Sequence, residues 1–512
     1  MRKQLHAVMF AGTGSDVGKS VVAAAFCRIF LQDGLHPSPF KAQNMALNSY
    51  VTPDGLEIGR AQAVQAAACK LECSADMNPI LLKPSSQMRS QVVFMGRPFG
   101  ESDAYSYFKR EGREFFRQHV CASFDRLSKL YNPIVIEGAG SIAEINLREN
   151  DIVNMNMAKH AKAKVILVAD IDRGGVFASL YGTMMLLTPQ EREMVKGIII
   201  NKFRGDIRVF ETGIKEIERL CQVPVLGVIP YFSDIYIEKE DSVDLENRKS
   251  VVVSDKINIA AVKLKYMSNY TDFDMLDLAE GVNLFFTTDI QQLKQADIII
   301  IPGTKNTIAD MLFLKQTGLD SAIRELFAEG KQIYGICGGY QILGRRIFDP
   351  QSIEGEEREC EGIGILPVET IMESEKQTVR REFRFIGGDA QNGESDICMG
   401  YEIHMGKTTV CDKGIFKPVA LFDNSDRSSQ LSLSDQSALS DGYYHSQRCF
   451  GTYLHGIFDN KIVLEHILSI TNKPYTLPSK SIAELREQEF DKLAKVVREN
   501  VDLEQLYKIL EQ

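Results

Sequence analysis

Tryptophan is absent from the 512-residue chain, and its eight histidines are dispersed, so a histidine-rich metal cluster has no basis in the sequence. The ten cysteines, at 27, 69, 73, 121, 221, 337, 360, 398, 411 and 449, include no C-x-x-C pair. That spacing argues against a zinc knuckle and a disulfide framework, and it leaves most of these residues as small buried hydrophobes. No apolar run approaches the roughly 20 residues of a membrane span. The N-terminus runs directly into a strand pattern without a cleavable signal, so a cytoplasmic protein with no membrane partner is expected. Positive charge is in deficit: 59 Lys and Arg face 69 Asp and Glu, for a net charge of −10. With no local basic face, that balance argues against a nucleic-acid partner. No internal repeat is found.

What remains is the composition of a globular protein, 44% hydrophobic and 25% charged, which excludes long disordered tracts. The length exceeds what one core supports, so two or three domains are expected.

The first chemical signal is Phe10-Ala11-Gly12-Thr13-Gly14-Ser15-Asp16-Val17-Gly18-Lys19-Ser20, which joins an apolar strand, Leu5 to Phe10, to a helical run, Val21 to Leu31. Small residues let backbone N–H groups approach a polyphosphate, and the helix N-terminus adds partial positive charge. Lys19 is placed to reach the β and γ phosphates, and Ser20 to ligate Mg²⁺. The common phosphate-loop pattern would place Gly at position 13, where this chain has Thr between Gly12 and Gly14. The variant resembles the loop of dethiobiotin synthetase and its relatives, G-T-x-[ST]-x-V-G-K-[ST], and ATP is the expected ligand.

Five further segments in the first half carry candidate site residues. Lys41 to Ser49 is an amide-rich loop after a second strand, where ligands sit in open α/β sheets. Asp54 and Glu57 are candidate metal or substrate carboxylates, and equally a turn Asp and a first-turn helix Glu. The buried strand Pro133 to Ile136 ends in Glu137, placed to hold Mg²⁺ opposite Ser20. Asp151, before an apolar helix, reads either as a helix cap or as a catalytic carboxylate facing the transferred phosphate. Asn201-Lys202, at the end of the strand Gly197 to Ile200, resembles the base-recognition corner of nucleotide-binding folds. Strands alternating with helices predict a doubly wound parallel sheet in an ATP-binding amidation domain over residues 1–240.

A charged, weakly periodic stretch at 241–255 predicts a linker with its boundary near 245, and a second α/β domain follows over 256–475. Its centre is Ile333-Tyr334-Gly335-Ile336-Cys337-Gly338-Gly339-Tyr340-Gln341. This has the form of a nucleophile elbow with Cys in place of Ser: glycines permit a sharp strand-to-helix turn that exposes a thiol at a helix N-terminus. The core G-x-C-G-G-[YF]-Q resembles the class I glutamine amidotransferases, and the resemblance implies L-glutamine as substrate. It also implies oxyanion-hole N–H groups from Gly303, in Pro302-Gly303-Thr304, and from Gly338. His455, in Thr452-Tyr453-Leu454-His455-Gly456-Ile457, is the expected general base. Most members carry H-x-E, but position 457 is Ile. The orienting carboxylate is therefore expected elsewhere, at Asp459 or within 400–406. Residues 370–398 read as an inserted loop or hairpin, 424–442 as a Ser- and Asp-rich mobile stretch, and 476–512 as a C-terminal helical segment.

The two halves together resemble the cobyric acid synthase family of the cobalamin pathway. The resemblance spans nearly the whole chain and includes Lys41 to Met45, Glu57 to Gln62, Asn78 to Pro84, Glu137 to Leu147 and Gly400 to His404; such members also lack the H-x-E acid. It implies ATP- and glutamine-dependent amidation of the b, d, e and g carboxylates of adenosylcobyrinic acid a,c-diamide. Lys41, Arg60, Lys83, Arg89 and Arg97 are candidate contacts for so acidic a substrate. The alternatives are cobyrinic acid a,c-diamide synthase or the cell-wall amidating pair, a partition-type ATPase switch, and a plain glutaminase with a degenerate ATPase domain.

Overall fold

The computed structural model describes residues 4–84, 89–103, 110–238, 251–387, 397–411, 416–422 and 439–512. Most of the expected linker and most of the stretch 424–442 lie outside the described residues.

The first half is built on six strands: β1 (Val8–Gly12), β2 (Ser38–Phe40), β3 (Ile134–Glu137), β4 (Lys164–Asp170), β5 (Val195–Phe203) and β6 (Val225–Pro230). They form one parallel sheet in the order β6-β5-β4-β1-β3-β2. Near-continuous apolar strands are what a sheet covered on both faces requires. Alternation along β1 sends Val8 and Phe10 into one core and Met9 and Ala11 into another. The first core is closed by α1 (Lys19–Gln32), whose Phe26 stacks on Phe10 at 4.7 Å between ring centroids. The second is closed by the helices Arg110–Leu130, Val176–Leu186 and Ile207–Cys221. The first of these helices starts only at Arg110. Strands Arg89–Phe94 and Arg97–Asp103 pair instead as an antiparallel hairpin ahead of it.

The second half repeats the plan with β7 (Ile257–Val262), β8 (Val282–Thr287), β9 (Ile298–Ile301), β10 (Gln332–Ile336), β11 (Tyr443–Ser446) and β12 (Cys449–Thr452). The order is β8-β7-β9-β10-β12-β11, parallel except for the β11–β12 pair. β10 runs into the short helix α2 (Gly338–Leu343) through Cys337. The strands Val368–Phe385 and Cys398–Val410 pair antiparallel in a separate sheet.

The chain then returns to the first half. Helix α3 (Ile482–Asn500) begins at a capping box, with Ser481 and Glu484 satisfying each other's backbone N–H groups. Its Phe490, Leu493 and Val497, with Leu506 and Leu510 of α4 (Leu503–Glu511), complete the core over α1. Arg28 of α1 is tied to Glu487 at 2.7 Å and Asp491 at 2.8 Å. Residues 482–511 are therefore a wall of the first unit, a tertiary relation that no local pattern encodes.

Candidate functional site

Two sites lie at the C-terminal ends of the two parallel sheets, where open α/β folds bind ligands. In the first, the loop after β1 wraps the start of α1. Gly18 takes φ 95°, and a Cβ there would overlap the Asn201 amide, so only glycine fits. Lys19 Nζ donates to the carbonyls of Gly14 at 2.8 Å and Gly140 at 3.1 Å, which curls it across the loop. Ser15, Gly18, Lys19, Ser20 and Glu137 line a cavity of 820 Å³, ample for a nucleotide and part of a large acceptor.

Glu137, at the end of β3, is 1% exposed and accepts hydrogen bonds on both oxygens. Ser20 Oγ and Lys41 Nζ each lie 2.8 Å from Oε1, and Gln65 Nε2 donates to Oε2 at 2.6 Å. Burial alone would raise its pKa, but the Lys41 charge and these donors outweigh burial and hold the carboxyl below its ordinary value. An ionised carboxylate beside the loop hydroxyl is a hard oxygen pair of the kind Mg²⁺ takes together with phosphate oxygens. The pair fits that ion.

The remaining expectations for the first site are placed unevenly. Asp151 lines the cavity, but its carboxylate accepts backbone N–H bonds from Val153 and Asn154 at 2.9 Å, as a cap does. Lys202 lines the cavity and donates to the Asp16 carbonyl at 2.6 Å and to Asp170 at 2.9 Å. Asn201 sits behind the loop and donates to the Val17 carbonyl at 2.9 Å, so it shapes the loop's backbone. Thr13 N–H donates to the Val168 carbonyl at 3.1 Å, and Gly12 packs so closely on Gly14 and Gly140 that a Cβ would meet both carbonyls within 3 Å.

Asp54 is not brought to the cavity: it is exposed in the turn between the strands Ser49–Val51 and Glu57–Gly59. Glu57 is likewise no metal carboxylate and no first-turn helix residue, since the helix begins at Arg60. It is buried in a strand between Lys83 at 2.8 Å and Lys376 at 2.5 Å, and so joins the two halves. Of the five basic candidates, Lys41, Arg60 and Lys83 are buried among protein partners, while Arg89 and Arg97 are exposed.

In the second site Cys337 sits between β10 and α2 at φ 51° and ψ −109°, a conformation that a residue with a Cβ rarely adopts. The turn holds because its neighbours are small. A Cβ on Gly339 would overlap the Ile301 carbonyl, and one on Gly338 would meet Thr304 at 2.5 Å. The elbow is thereby pressed against the Pro302-Gly303-Thr304 loop. Gly338 opens α2, where first-turn N–H groups have no intrahelical partner and suit an oxyanion. Gly303 packs against His455, whose Cε1 would lie 3.0 Å from a Cβ at that position.

His455 follows β12 and is 1% exposed. Its orienting carboxylate is Asp272: His455 Nδ1 donates to Oδ2 at 2.7 Å, and Gly456 N–H donates to Oδ1 at 2.9 Å. This corrects the expectation of Asp459 or a residue within 400–406. Asp459 lies half-buried nearby, but desolvation, reinforced by the negative charges of Glu238 and Asp272, pushes its carboxyl up to about 7. Tyr401 of the 400–406 segment lays its ring on the imidazole at 5.3 Å. Burial would lower the His455 pKa, but the charge of Asp272 and, once the thiol gives up its proton, that of Cys337 raise it to about 10. Asp272 lies 183 residues upstream, in the 3-10 turn Tyr270–Phe273, and the short helix that follows begins and ends with Asp274 and Asp277. Nothing in the local sequence separates the three.

Asp272→Asn is expected to lower the glutamine-dependent rate by about 10³-fold, because the amide no longer fixes the Nδ1–H tautomer. Asp459→Ala is expected to stay within a few-fold of wild type, about the scale of a lost side-chain contact. Glutamate release in the two variants checks this order.

Residues 8–243 match the family described as the CobQ/CobB/MinD/ParA nucleotide binding domain, and residues 258–463 match the CobB/CobQ-like glutamine amidotransferase domain. The chain is 53% identical over 515 residues to a cobyric acid synthase of Bacteroides fragilis, covering 100% of this chain and 99% of the relative. It is 52% identical over 515 residues to that of Phocaeicola vulgatus, with the same coverage. To that of Parabacteroides distasonis it is 48% identical over 509 residues, or 99% of each chain.

Proposed function

The chain belongs to the cobyric acid synthase family, and from that premise we propose that its two sites share one ATP- and glutamine-dependent amidation. The acceptor is adenosylcobyrinic acid a,c-diamide, amidated at its b, d, e and g carboxylates to give adenosylcobyric acid. The observation that carries the reading is a Cys337–His455–Asp272 constellation in the same chain as a phosphate loop closed by Ser20 and Glu137. A partition-type ATPase switch would leave the strained cysteine and its oriented histidine without a role.

In the second half the Cys337 thiolate attacks the carboxamide carbon of glutamine while the N–H groups at Gly338 and Gly303 take the developing oxyanion. His455 then gives a proton to the leaving nitrogen, so that ammonia departs and a thioester remains for water to cleave to glutamate. In the first half Lys19 and the loop N–H groups hold the phosphates of ATP in line with an acceptor carboxylate. The transfer releases ADP and makes an acyl phosphate, and ammonia attacks its carbonyl carbon, expels phosphate and leaves the amide. This activation is required because a free carboxylate is a poor electrophile. Ser20 and Glu137 would hold Mg²⁺, which when bound would neutralise charge on the phosphates. The reaction is placed in the cytoplasm, where ATP is supplied and free cysteines stay reduced; among the described residues no helix is long and apolar enough to cross a membrane.

Glu137→Gln is expected to slow amidation about 10–100-fold and to raise the Mg²⁺ concentration needed for half-maximal rate. The Mg²⁺ titration is the decisive readout. Loss of the Lys41 partner alone would lower stability without moving the metal requirement. The proposed acceptor is tested by mass spectrometry after incubation with the corrinoid, ATP and glutamine. Four successive replacements of hydroxyl by amino group are expected, and an unaltered corrinoid mass would contradict the assignment.

A further inference from the structure

The geometry around His455 points to control of the glutaminase by the other half of the chain. His455 Nδ1 donates to Asp272, which leaves the ring's lone pair at Nε2, the atom that must take the Cys337 proton. That lone pair is engaged: Asn269 Nδ2 lies 3.2 Å from Nε2. The amide's orientation is fixed from outside the site, because the Ser49 backbone N–H donates to Asn269 Oδ1 at 3.0 Å and only the oxygen end can accept it. Meanwhile Cys337 Sγ lies 3.6 Å from the Ile403 carbonyl and donates there. Asn269 is 2% exposed and holds a left-handed backbone at φ 52°. An amide NH₂ turned to Nε2 excludes a proton from that nitrogen, so this arrangement opposes the thiolate–imidazolium pair.

Ser49 stands 220 residues away in the first half, in the strand Ser49–Val51. The chain just before it, at Gln43, Asn44 and Met45, lines the nucleotide cavity. A second connection runs parallel. Arg60 donates to Thr271 Oγ1 at 3.0 Å and to the Tyr401 hydroxyl at 2.7 Å, and Tyr401 is the ring lying on His455. Arg60 also lies 3.5 Å from Glu238, which lines the same cavity. Both connections begin at the first site's wall and end on the second site's base.

We propose that Asn269 is a positioning residue that holds the glutaminase in check, capping His455 Nε2 while Ser49 grips its oxygen, and releasing it when ATP and acceptor filling the first cavity draw residues 43–49 away. This rests on the reading of Cys337 and His455 as the glutaminase pair. The release balances without any co-reactant: the Cys337 proton moves to Nε2, and the Asn269 amide turns to another acceptor. The device ties ammonia production to the presence of a carboxylate ready to use it.

The test is glutamate release by the full-length chain with glutamine alone, without ATP or corrinoid. Asn269→Gly removes the side chain and suits the left-handed backbone. Ser49→Pro removes the N–H that grips the amide. Both are expected to raise the basal kcat about 5–10-fold, the scale that one released hydrogen bond supports, with the glutamine KM unchanged. In full turnover both are expected to form more glutamate than amide, whereas wild type keeps the two equal. Amidation from free ammonia and ATP reports that each variant is folded. If Asn269→Gly loses that reaction, Ser49→Pro carries the comparison. A basal rate that is unchanged or lower in a variant with intact ammonia-dependent amidation would overturn the proposal. A wild type that releases no glutamate even in full turnover would overturn the glutaminase reading beneath it.

Discussion

Cys337→Ala is expected to lose glutamine as a nitrogen donor, with the glutamine-dependent rate falling on the order of 10⁶-fold, while keeping amidation from free ammonia. The thiol is the only group at the elbow that forms a thioester, and neither the aligned His455 nor the oxyanion N–H groups replaces it. The loss is confined to one site because the substitution removes a single sulfur, and alanine is smaller than cysteine at a position packed against glycines and Thr304. The first half keeps its own core and its own cavity. Rescue is expected to grow with pH, since more of the ammonia pool is then unprotonated and nucleophilic. Parallel assays with glutamine and with ammonium salts check both halves of this expectation.

Lys19→Ala is expected to lose synthesis with either nitrogen source, by about 10³-fold, because carboxylate activation precedes the use of ammonia from any origin. In the structure the Lys19 ammonium bridges the carbonyls of Gly14 and Gly140 and so stands at the mouth of the loop. Its removal withdraws the charge that meets the transferred phosphate. Cys337 chemistry stays intact, so glutamate release in the absence of ATP is expected at its wild-type basal level. Near wild-type amidation by the variant at saturating ATP would contradict the phosphate-loop assignment.

Local chemistry was legible in the sequence wherever one short segment carries it. The phosphate loop needs glycine at 18 because φ is positive there and Asn201 fills the space of a Cβ, and the elbow needs glycines because Cys337 is pressed against the loop at 302–304. Glu137 could be read at the end of a buried strand because its neighbours are uniformly apolar. What long-range packing decides was not legible. Asp272 orients His455 across 183 residues, and Asn269 joins Ser49 to the same ring; neither position carries a local pattern. Glu57 looked like a helix-start carboxylate, yet its two lysine partners come from distant strands. Asp54 carried a turn signal and a carboxylate together, and the structure uses the turn. The terminal helices were visible as helices, but their place over α1 follows only from which apolar stripe remained uncovered.

The central claim is that one chain makes ammonia at Cys337 and consumes it at the phosphate loop. It is tested most directly by supplying glutamine labelled with ¹⁵N in its amide together with unlabelled ammonium, ATP and the corrinoid acceptor, and reading the isotope in the product amides. Wild type at low ammonium is expected to place ¹⁵N in the new carboxamides, and Cys337→Ala at high ammonium to place only unlabelled nitrogen there. Labelled amide formed by Cys337→Ala, or no amide from folded Cys337→Ala with ammonia, would contradict the account.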